Sequence, residues 1–183
     1  DTSAVVEAGG GEILGSVRVP VNTSDFSSYV LQAQASGANV VGMANAGGDM
    51  INTIKQSAEF GLTQSGITLA GLIAFITDVD SLGLETAQGM QLTAAFYWDL
   101  NDDTRAWSAR FEELHGSKPT QVQAGAYSAV MHYLKSVALE GTTDTGPVVE
   151  RMKATPTEDV VLGTGYVRED GRKMHDMYLF EVN

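Results

Sequence analysis

The chain has 183 residues, of which 43% are hydrophobic and 19% charged, as in a globular domain or a large part of one. A net charge of -12 argues against nucleic acid and anionic membranes as partners, because both demand clustered Lys and Arg. The lack of cysteine excludes disulfides, thiolate metal sites and cysteine nucleophiles. No apolar run approaches the roughly 20 residues of a membrane span.

The first third of the chain reads as helix, strand and helix. Residues 2–8 are typical of the end of a helix, closed by glycines, and residues 13–19 alternate like a strand that Pro20 stops. A polar cluster at residues 22–25 then caps a helix ending at Gly37. Because the chain starts at Asp1 with neither Met nor a signal segment, we expect a mature or trimmed product from which any targeting segment has been removed.

The stretch from Val40 to Asn52 organises the rest. Val40–Ala44 predicts a strand buried on both faces, and Asp49 is expected to cap a helix over residues 49–60. Small, flexible residues form the crossing between them: Asn45, Ala46, Gly47 and Gly48. Bare backbone N–H groups at such crossings hold ligands in open α/β sheets. We interpret the crossing as one wall of a small-molecule site, with an ordinary βα turn as the alternative.

A second crossing is expected after the next strand, Leu69–Ile76, where polar residues occupy positions 77–80. Because βαβ connections keep strand ends together, both crossings should meet at one edge of a parallel sheet. Thr77 and Asp78 are therefore candidate ligand contacts, and the Asp78 carboxylate could accept hydrogen bonds from an ammonium or hydroxyl group. Capping of the following helix is the alternative for Asp78, and acid–base chemistry by Asp78 with Asp80 is a further hypothesis.

The character of the sequence changes near Trp98. A fourth apolar segment, residues 89–96, leads into consecutive aromatic residues, of which Tyr97 is expected to face a cleft because alternate side chains of an extended run point opposite ways. Two helical stripes follow. Their members are Trp107, Phe111 and Leu114, then Val122, Ala126, Val130, Tyr133 and Val137. We expect a boundary between an α/β unit at residues 1–95 and a second part at residues 96–183.

The end of the chain predicts a short helix around residues 148–152 and two β segments, 160–168 and 174–182. Asp170-Gly171 between them is a strong hairpin signal. No catalytic or nucleotide-binding motif occurs, and the three histidines, His115, His132 and His175, are far apart and expected in surface or capping positions. The spacing therefore predicts no metal site and no known catalytic motif, and we expect no cofactor.

Four stretches carry a resemblance to a known family: NTSDFSSYVLQAQASGANVVGMANAGGDMINTIKQSAEFGL, LAGLIAFITDVDSLGL, FYWDLNDDTRAWSARFEELHGSKPTQVQAGAYSAVMHYLKSV and GTGYVREDGRKMHDMYLF. The chain resembles the C-terminal half of the periplasmic solute-binding proteins of ABC importers, in the leucine/isoleucine/valine-binding class with the type I periplasmic-binding-protein fold. The resemblance implies an α/β fold: an open parallel sheet flanked by helices, forming the second lobe. It also implies a helical hairpin and a terminal β-hairpin from the interlobe region.

The family's members close two lobes over a solute and then dock on a membrane permease. The resemblance therefore implies periplasmic capture, without chemistry, of a branched-chain or aromatic amino acid or a related carboxylate. It matches the Ala46–Gly48 crossing and Thr77-Asp78 to ligand loops, and Gln123, on the helix start at residues 121–127, to the cleft. Asp49-Met50 stands where the family usually has aromatics, so amino-acid specificity is not implied.

Two other functions stay open at this point: a ligand-sensing regulatory domain of the same fold, and an α/β enzyme using Asp78 and Asp80. Because half of the cleft would come from the first lobe, we expect these 183 residues alone to bind solute weakly or not at all. A lobe without its partner should also expose the surface that normally contacts the other lobe. We therefore expect self-association of the 183-residue chain.

Overall fold

The structure, a computed structural model, describes residues 2–183. Eight α-helices fall within that range: α1 Thr2–Ala8, α2 Ser27–Ala35, α3 Gly48–Glu59, α4 Ile76–Leu82, α5 Leu84–Ala87, α6 Asp102–His115, α7 Gln121–Glu140 and α8 Thr145–Ala154. The same residues form seven strands: β1 Val40–Met43, β2 Thr68–Gly71, β3 Gln91–Ala94, β4 Thr157–Asp159, β5 Gly163–Val167, β6 Lys173–Met174 and β7 Tyr178–Glu181.

A four-stranded sheet with the order β1-β2-β3-β7 carries the α/β part of the fold. β1 and β2 run parallel, with Val40 opposite Thr68 and Met43 opposite Gly71, and β2 and β3 are parallel as well. Parallel strands joined through helices bring their carboxyl ends to one edge of the sheet. The predicted α/β class with a parallel sheet is confirmed.

The chain folds as two compact units. The first comprises Asp1–Ala74, Asp78–Leu92 and Phe180–Asn183, and the second comprises Phe75–Thr77 and Thr93–Leu179. In the first unit, Met50 and Ile54 of α3 are fully buried. Full burial of such side chains contributes about 1.5–3 kcal/mol each, so this face of α3 helps hold the unit together.

The second unit has an aromatic core. Phe96 and Trp107 pack edge to face at 5.6 Å between ring centroids, and Phe111 and Tyr127 lie 5.6 and 5.3 Å from the Trp107 ring. Ala124 of α7 is fully buried in the same cluster. A second, antiparallel sheet with the order β4-β5-β6 completes this unit, and the predicted hairpin pairs Tyr166 with Met174.

Several predictions about strands are wrong. Residues 13–19 form no strand: their apolar side chains are exposed, with Leu14 at 48% and Val17 at 46%, so the alternation has no buried face. β1 is not buried on both faces, because it lies at the edge of the sheet and leaves Val40 55% exposed. The segment 174–182 divides into β6 and β7, which belong to different sheets, and β4 was not foreseen.

The predicted stripe of α7 is also wrong. Val122 and Val130 are 58% and 55% exposed, whereas the buried residues of the helix are Ala124, Ser128, His132 and Ser136. His132 is therefore a core residue rather than a surface one, and its Nε2 lies 2.8 Å from the Met152 carbonyl oxygen. Its buried polar atom is satisfied, as burial requires.

Candidate functional site

The crossing from β1 to α3 is open and leaves the helix start uncapped. Gly47 occupies the N-cap position with no side-chain hydrogen bond to the first turn. The first N–H groups of a helix have no partner within it, so they face outward here, beside exposed residues Ala46, Gly47 and Gly48. Gly47 has φ 57° and ψ -132°, a combination that only glycine adopts readily. The path of the crossing therefore depends on this glycine.

The side chain of Asn45 joins the crossing to α3 by hydrogen bonds. Its Nδ2 donates to the Asp49 carbonyl oxygen at 3.1 Å and to Thr53 Oγ1 at 2.7 Å, while Thr53 Oγ1 donates to the same carbonyl at 2.7 Å. Asn45 Oδ1 is buried and has no hydrogen-bond partner within residues 2–183. The amide group thus ties the crossing to the first turns of α3.

The expected role of Asp49 as the N-cap is wrong. α3 begins one residue earlier, at Gly48, so the Asp49 carboxylate lies inside the first turn and does not close it. Its Oδ2 instead accepts a hydrogen bond from the backbone N–H of Asn22 at 3.0 Å. A distant loop is thereby attached to the start of α3.

The second crossing differs from the prediction. β2 ends at Gly71, and the residues that leave the sheet are Leu72–Phe75, which are apolar. The two crossings do emerge side by side, because the Leu72 N–H donates to the Met43 carbonyl oxygen at 2.9 Å. Gly71 permits a tight bend: a Cβ there would lie 2.6 Å from the Ala74 Cβ.

Thr77 and Asp78 lie on α4 rather than in a loop. Asp78 is in the first turn of that helix and only 6% exposed, while Thr77 and Asp80 are exposed. An acid in the first turn interacts favourably with the helix dipole, but Asp78 is the third residue of α4 and not its N-cap, so the capping alternative is wrong in its detail. Asp78 and Asp80 do not form a pair of accessible carboxylates, so the geometry does not favour the enzyme hypothesis.

In the second unit, the start of α7 is built by glutamines. Gln123 Oε1 accepts hydrogen bonds from the N–H and the hydroxyl of Thr120, at 2.9 and 2.6 Å, as part of a capping box. Gln121 was not singled out from the sequence, yet its Oε1 accepts from the Ala95 N–H at 2.9 Å. Tyr97 is half-buried, with its ring 5.7 Å from that of Trp98.

Comparison with known proteins decides the family. The family described as Periplasmic binding protein matches residues 1–183. The chain belongs to this family. Membership agrees with the parallel sheet whose strand ends carry the two crossings.

Solved structures of related periplasmic binding proteins share this fold over most of the chain. A periplasmic binding protein from Burkholderia mallei is 47% identical, with a TM-score of 0.91 over 98% of this chain and 48% of its own. The periplasmic ligand-binding protein of a branched chain amino acid ABC transporter from Burkholderia xenovorans is 44% identical, with a TM-score of 0.86 over 96% of this chain and 47% of its own.

A curated relative gives the same picture. Leu/Ile/Val-binding protein homolog 6 of Brucella melitensis is 29% identical over 185 residues, which is 94% of this chain and 46% of the relative. The chain thus spans about half the length of the relatives it matches.

Three further features of this periplasmic binding protein chain concern the residues that the structure describes. No group of three or more His, Asp or Glu positioned for a metal occurs among the residues that the structure describes. Within the same residues, no helix combines the length and apolar character needed to cross a bilayer. A cavity of about 410 Å³ lies along the C-terminal half of α7, lined by His132, Lys135 and Leu139 among others, and none of the predicted site residues lines it.

Proposed function

We propose that this chain is the second lobe of the solute-binding component of an ABC importer. It captures a small amino acid or a related carboxylate in the periplasm by hinge closure, without chemistry, and delivers it to a membrane permease. The observation that carries the proposal is the uncapped start of α3 at an exposed Gly47-Gly48 crossing, in a chain of the periplasmic binding protein family.

The crossing is suited to polar recognition because it offers backbone donors at no conformational cost to the protein. An added Cβ at Gly47 or Gly48 would meet no atom within 4 Å, so the approach to the backbone is open. N–H groups at a helix start bind carboxylate and carbonyl oxygens well. Thr77, Asp78, Tyr97 and Gln123 remain proposed contacts.

Closure of the two lobes is the step that the binding free energy of the solute must drive. To move a lobe pair from mostly open to mostly closed, the solute must bind the closed form more tightly by about 5 kcal/mol. Contacts from one lobe alone cannot discriminate between the two forms, since a single lobe presents the same groups in both. The two-lobe arrangement is therefore inherent in the proposed mechanism.

The description of one relative indicates the solute class. The Burkholderia xenovorans protein, 44% identical, is described as part of a branched chain amino acid transporter. Leucine, isoleucine and valine are thus the first solutes to test. Benzoate and 4-hydroxybenzoate serve as simple probes for the aromatic carboxylates that the family resemblance also implies. Asp49-Met50 after the crossing leaves both classes open.

Isothermal titration calorimetry on the complete protein that carries this chain tests the proposal. We expect micromolar or tighter binding of at least one of these solutes and a weakening of about tenfold in Gly47→Ala, because alanine disfavours the backbone angles at position 47. Gly146→Ala is the matched control: it adds the same methyl group at an exposed position of α8 outside the crossing, where φ is not positive and no atom lies within 4 Å. Failure of all five solutes to bind would overturn the proposed solute classes.

A further inference from the structure

A loop outside the predicted site is attached along one face of α3. Asp49 and Gln56 are seven residues apart, two turns of the helix, so their side chains share a face. Asp49 Oδ2 accepts from the Asn22 N–H at 3.0 Å. Gln56 Oε1 accepts from the Phe26 N–H at 2.6 Å, and its Nε2 donates to the Ser24 carbonyl oxygen at 2.9 Å.

The spacing of these contacts gives the loop a direction. Seven helical residues rise about 10 Å, and four extended residues, from Asn22 to Phe26, span at most about 14 Å. The loop therefore runs beside the first turns of α3, with Phe26 at the Gln56 end and Asn22 at the Asp49 end. Phe26 is 2% exposed, which anchors the far end in the core.

The near end of the loop adjoins the crossing. Asp49 directly follows Gly48 in sequence, so the residue that holds Asn22 belongs to the same first turn of α3 as the exposed Gly47-Gly48 crossing. Asn22 is exposed and has φ 64°, the one positive φ of a non-glycine residue among residues 2–183. Thr23 Oγ1 donates to the Pro20 carbonyl oxygen at 2.6 Å, which closes the bend on which Asn22 lies.

We propose that Asp49 and Gln56 are positioning residues that hold the bend at Asn22 as a further wall of the solute site. This inference rests on the proposed function of the crossing and adds to it a segment that the sequence pattern indicated only as a helix cap. Asp49 acts through Asn22: its carboxylate fixes where the Asn22 backbone lies relative to the bare N–H groups of α3. Without it, the bend loses its tie at the end next to the crossing.

The test compares Asp49→Ala, Asp49→Asn and Glu59→Gln in the complete protein. Asp49→Ala removes the acceptor, Asp49→Asn keeps an acceptor oxygen without the charge, and Glu59→Gln neutralises an exposed acid at the other end of α3. The probes are L-leucine and 4-hydroxybenzoate, measured by calorimetry. Hydrogen exchange of the Asn22 amide, which needs no ligand, reports on the tie itself.

In Asp49→Ala we expect faster hydrogen exchange of the Asn22 amide. We also expect the dissociation constant for the probe to be three to ten times larger, which corresponds to the loss of one hydrogen bond. Asp49→Asn should largely restore both, and Glu59→Gln should change neither. All three variants should still unfold cooperatively in urea, with a small lowering of the midpoint in Asp49→Ala from the lost hydrogen bond. A loss of stability alone would move the midpoint without this pattern of rescue.

Three results would overturn the proposal, and they are distinguishable. If the wild type binds a probe and Asp49→Ala binds it equally well despite faster exchange at Asn22, the bend is not part of the site, while the proposed function stands. If the wild type binds neither probe, the proposed solute classes fail and the positioning role falls with them. Equal weakening in Asp49→Ala and Glu59→Gln would also overturn it, because Glu59 takes no part in the Asp49–Asn22 hydrogen bond and the effect would then not depend on that bond.

Discussion

Lys173 Nζ lies 3.1 Å from Asp159 Oδ2, and the two side chains are only 18% and 6% exposed. Ser128 Oγ donates to the same Asp159 oxygen and accepts from Lys173 Nζ. The other Asp159 oxygen accepts from the N–H groups of Val161 and Leu162 at 3.0 and 2.8 Å. This network joins α7, β4 and β6, so it sets how the small sheet is attached to the long helix.

Removal of the Lys173 ammonium group should lower the free energy of unfolding. Lys173→Met leaves the Asp159 carboxylate buried with no opposite charge, and breaking a buried pair in this way typically costs about 3 kcal/mol. The measurement is the free energy of unfolding in urea. Lys55→Met, at an exposed position of α3, removes an equal charge and should change the free energy by less than about 0.5 kcal/mol.

The double variant Lys173→Met/Asp159→Asn separates charge from packing. The double variant should lose less free energy of unfolding than Lys173→Met alone, because it has no unpaired buried charge. An equal loss in both variants would contradict the electrostatic account.

The same network predicts a pH dependence. Burial alone would raise the pKa of Asp159, but hydrogen bonds from Ser128, from the Leu162 N–H and from Lys173 outweigh it and hold the pKa below its ordinary value. A lowered folded-state pKa means that the contribution is fully present above the unfolded pKa, near 4, and is lost as the pH falls through the lower folded value. Urea unfolding between pH 7 and pH 3 measures it.

Asp159→Asn is the control for that titration, since 23 acidic residues contribute to the overall acid response. The difference in stability between wild type and Asp159→Asn should be constant above about pH 5 and shrink below about pH 4. A difference that stays constant to pH 3 would show that the carboxylate is not stabilised by folding.

The burial of α7 shows where sequence patterns stop being informative. Ser128, His132 and Ser136 recur every fourth residue and face inward, because each finds a polar partner: Asp159, the Met152 carbonyl and the His132 carbonyl. Small side chains also allow close packing against α8 and β4. A search for a hydrophobic stripe cannot identify such a face, because these side chains are buried on account of their hydrogen-bond partners and not on account of their hydrophobicity.

The glycines were far easier to predict. Gly116 and Gly141 end their helices with left-handed backbones, and the hairpin at Asp170-Gly171 forms as expected, because these signals are local. The crossing at Gly47 was found for the same reason. The tie between Asp49 and Asn22 was not, because it joins residues 27 apart through one backbone N–H.

Gly165 should tolerate no side chain. A Cβ there would lie 2.1 Å from the Met174 carbonyl oxygen and 2.9 Å from Thr157 Oγ1, so β5 fits between β4 and β6 only without one. We expect Gly165→Ala to destabilise by at least about 2 kcal/mol through overpacking. Thermal unfolding followed by circular dichroism measures it.

The matched control for Gly165 lies in α7. Gly125→Ala adds the same methyl group where no atom lies within 4 Å, and alanine favours a helix over glycine by about 0.5–1 kcal/mol. The two variants should therefore shift the melting temperature in opposite directions. A shift of the same sign in both would contradict the geometry around Gly165.

The start of α6 offers a prediction about capping. Asn101 Oδ1 accepts from the Thr104 N–H at 2.9 Å, and Thr104 Oγ1 accepts from the Asn101 N–H at 3.0 Å. Asn101→Ala should cost about 1 kcal/mol, whereas Asn101→Ser, which can still accept this hydrogen bond, should cost little. Urea unfolding compares them, and an Asn101→Ser variant as unstable as Asn101→Ala would refute the capping role.

The exposed face of α7 makes self-association of the 183-residue chain a testable prediction. Val122, Val130 and Tyr133 are 58%, 55% and 41% exposed and lie within four turns of one helix. Such an apolar surface favours contact between copies. Sedimentation velocity should show association that grows with concentration in the wild type and is reduced in Val130→Lys/Tyr133→Lys. Leu114→Lys, at a 90% exposed position on α6, is the control for added charge, and an equal reduction there would place the association elsewhere.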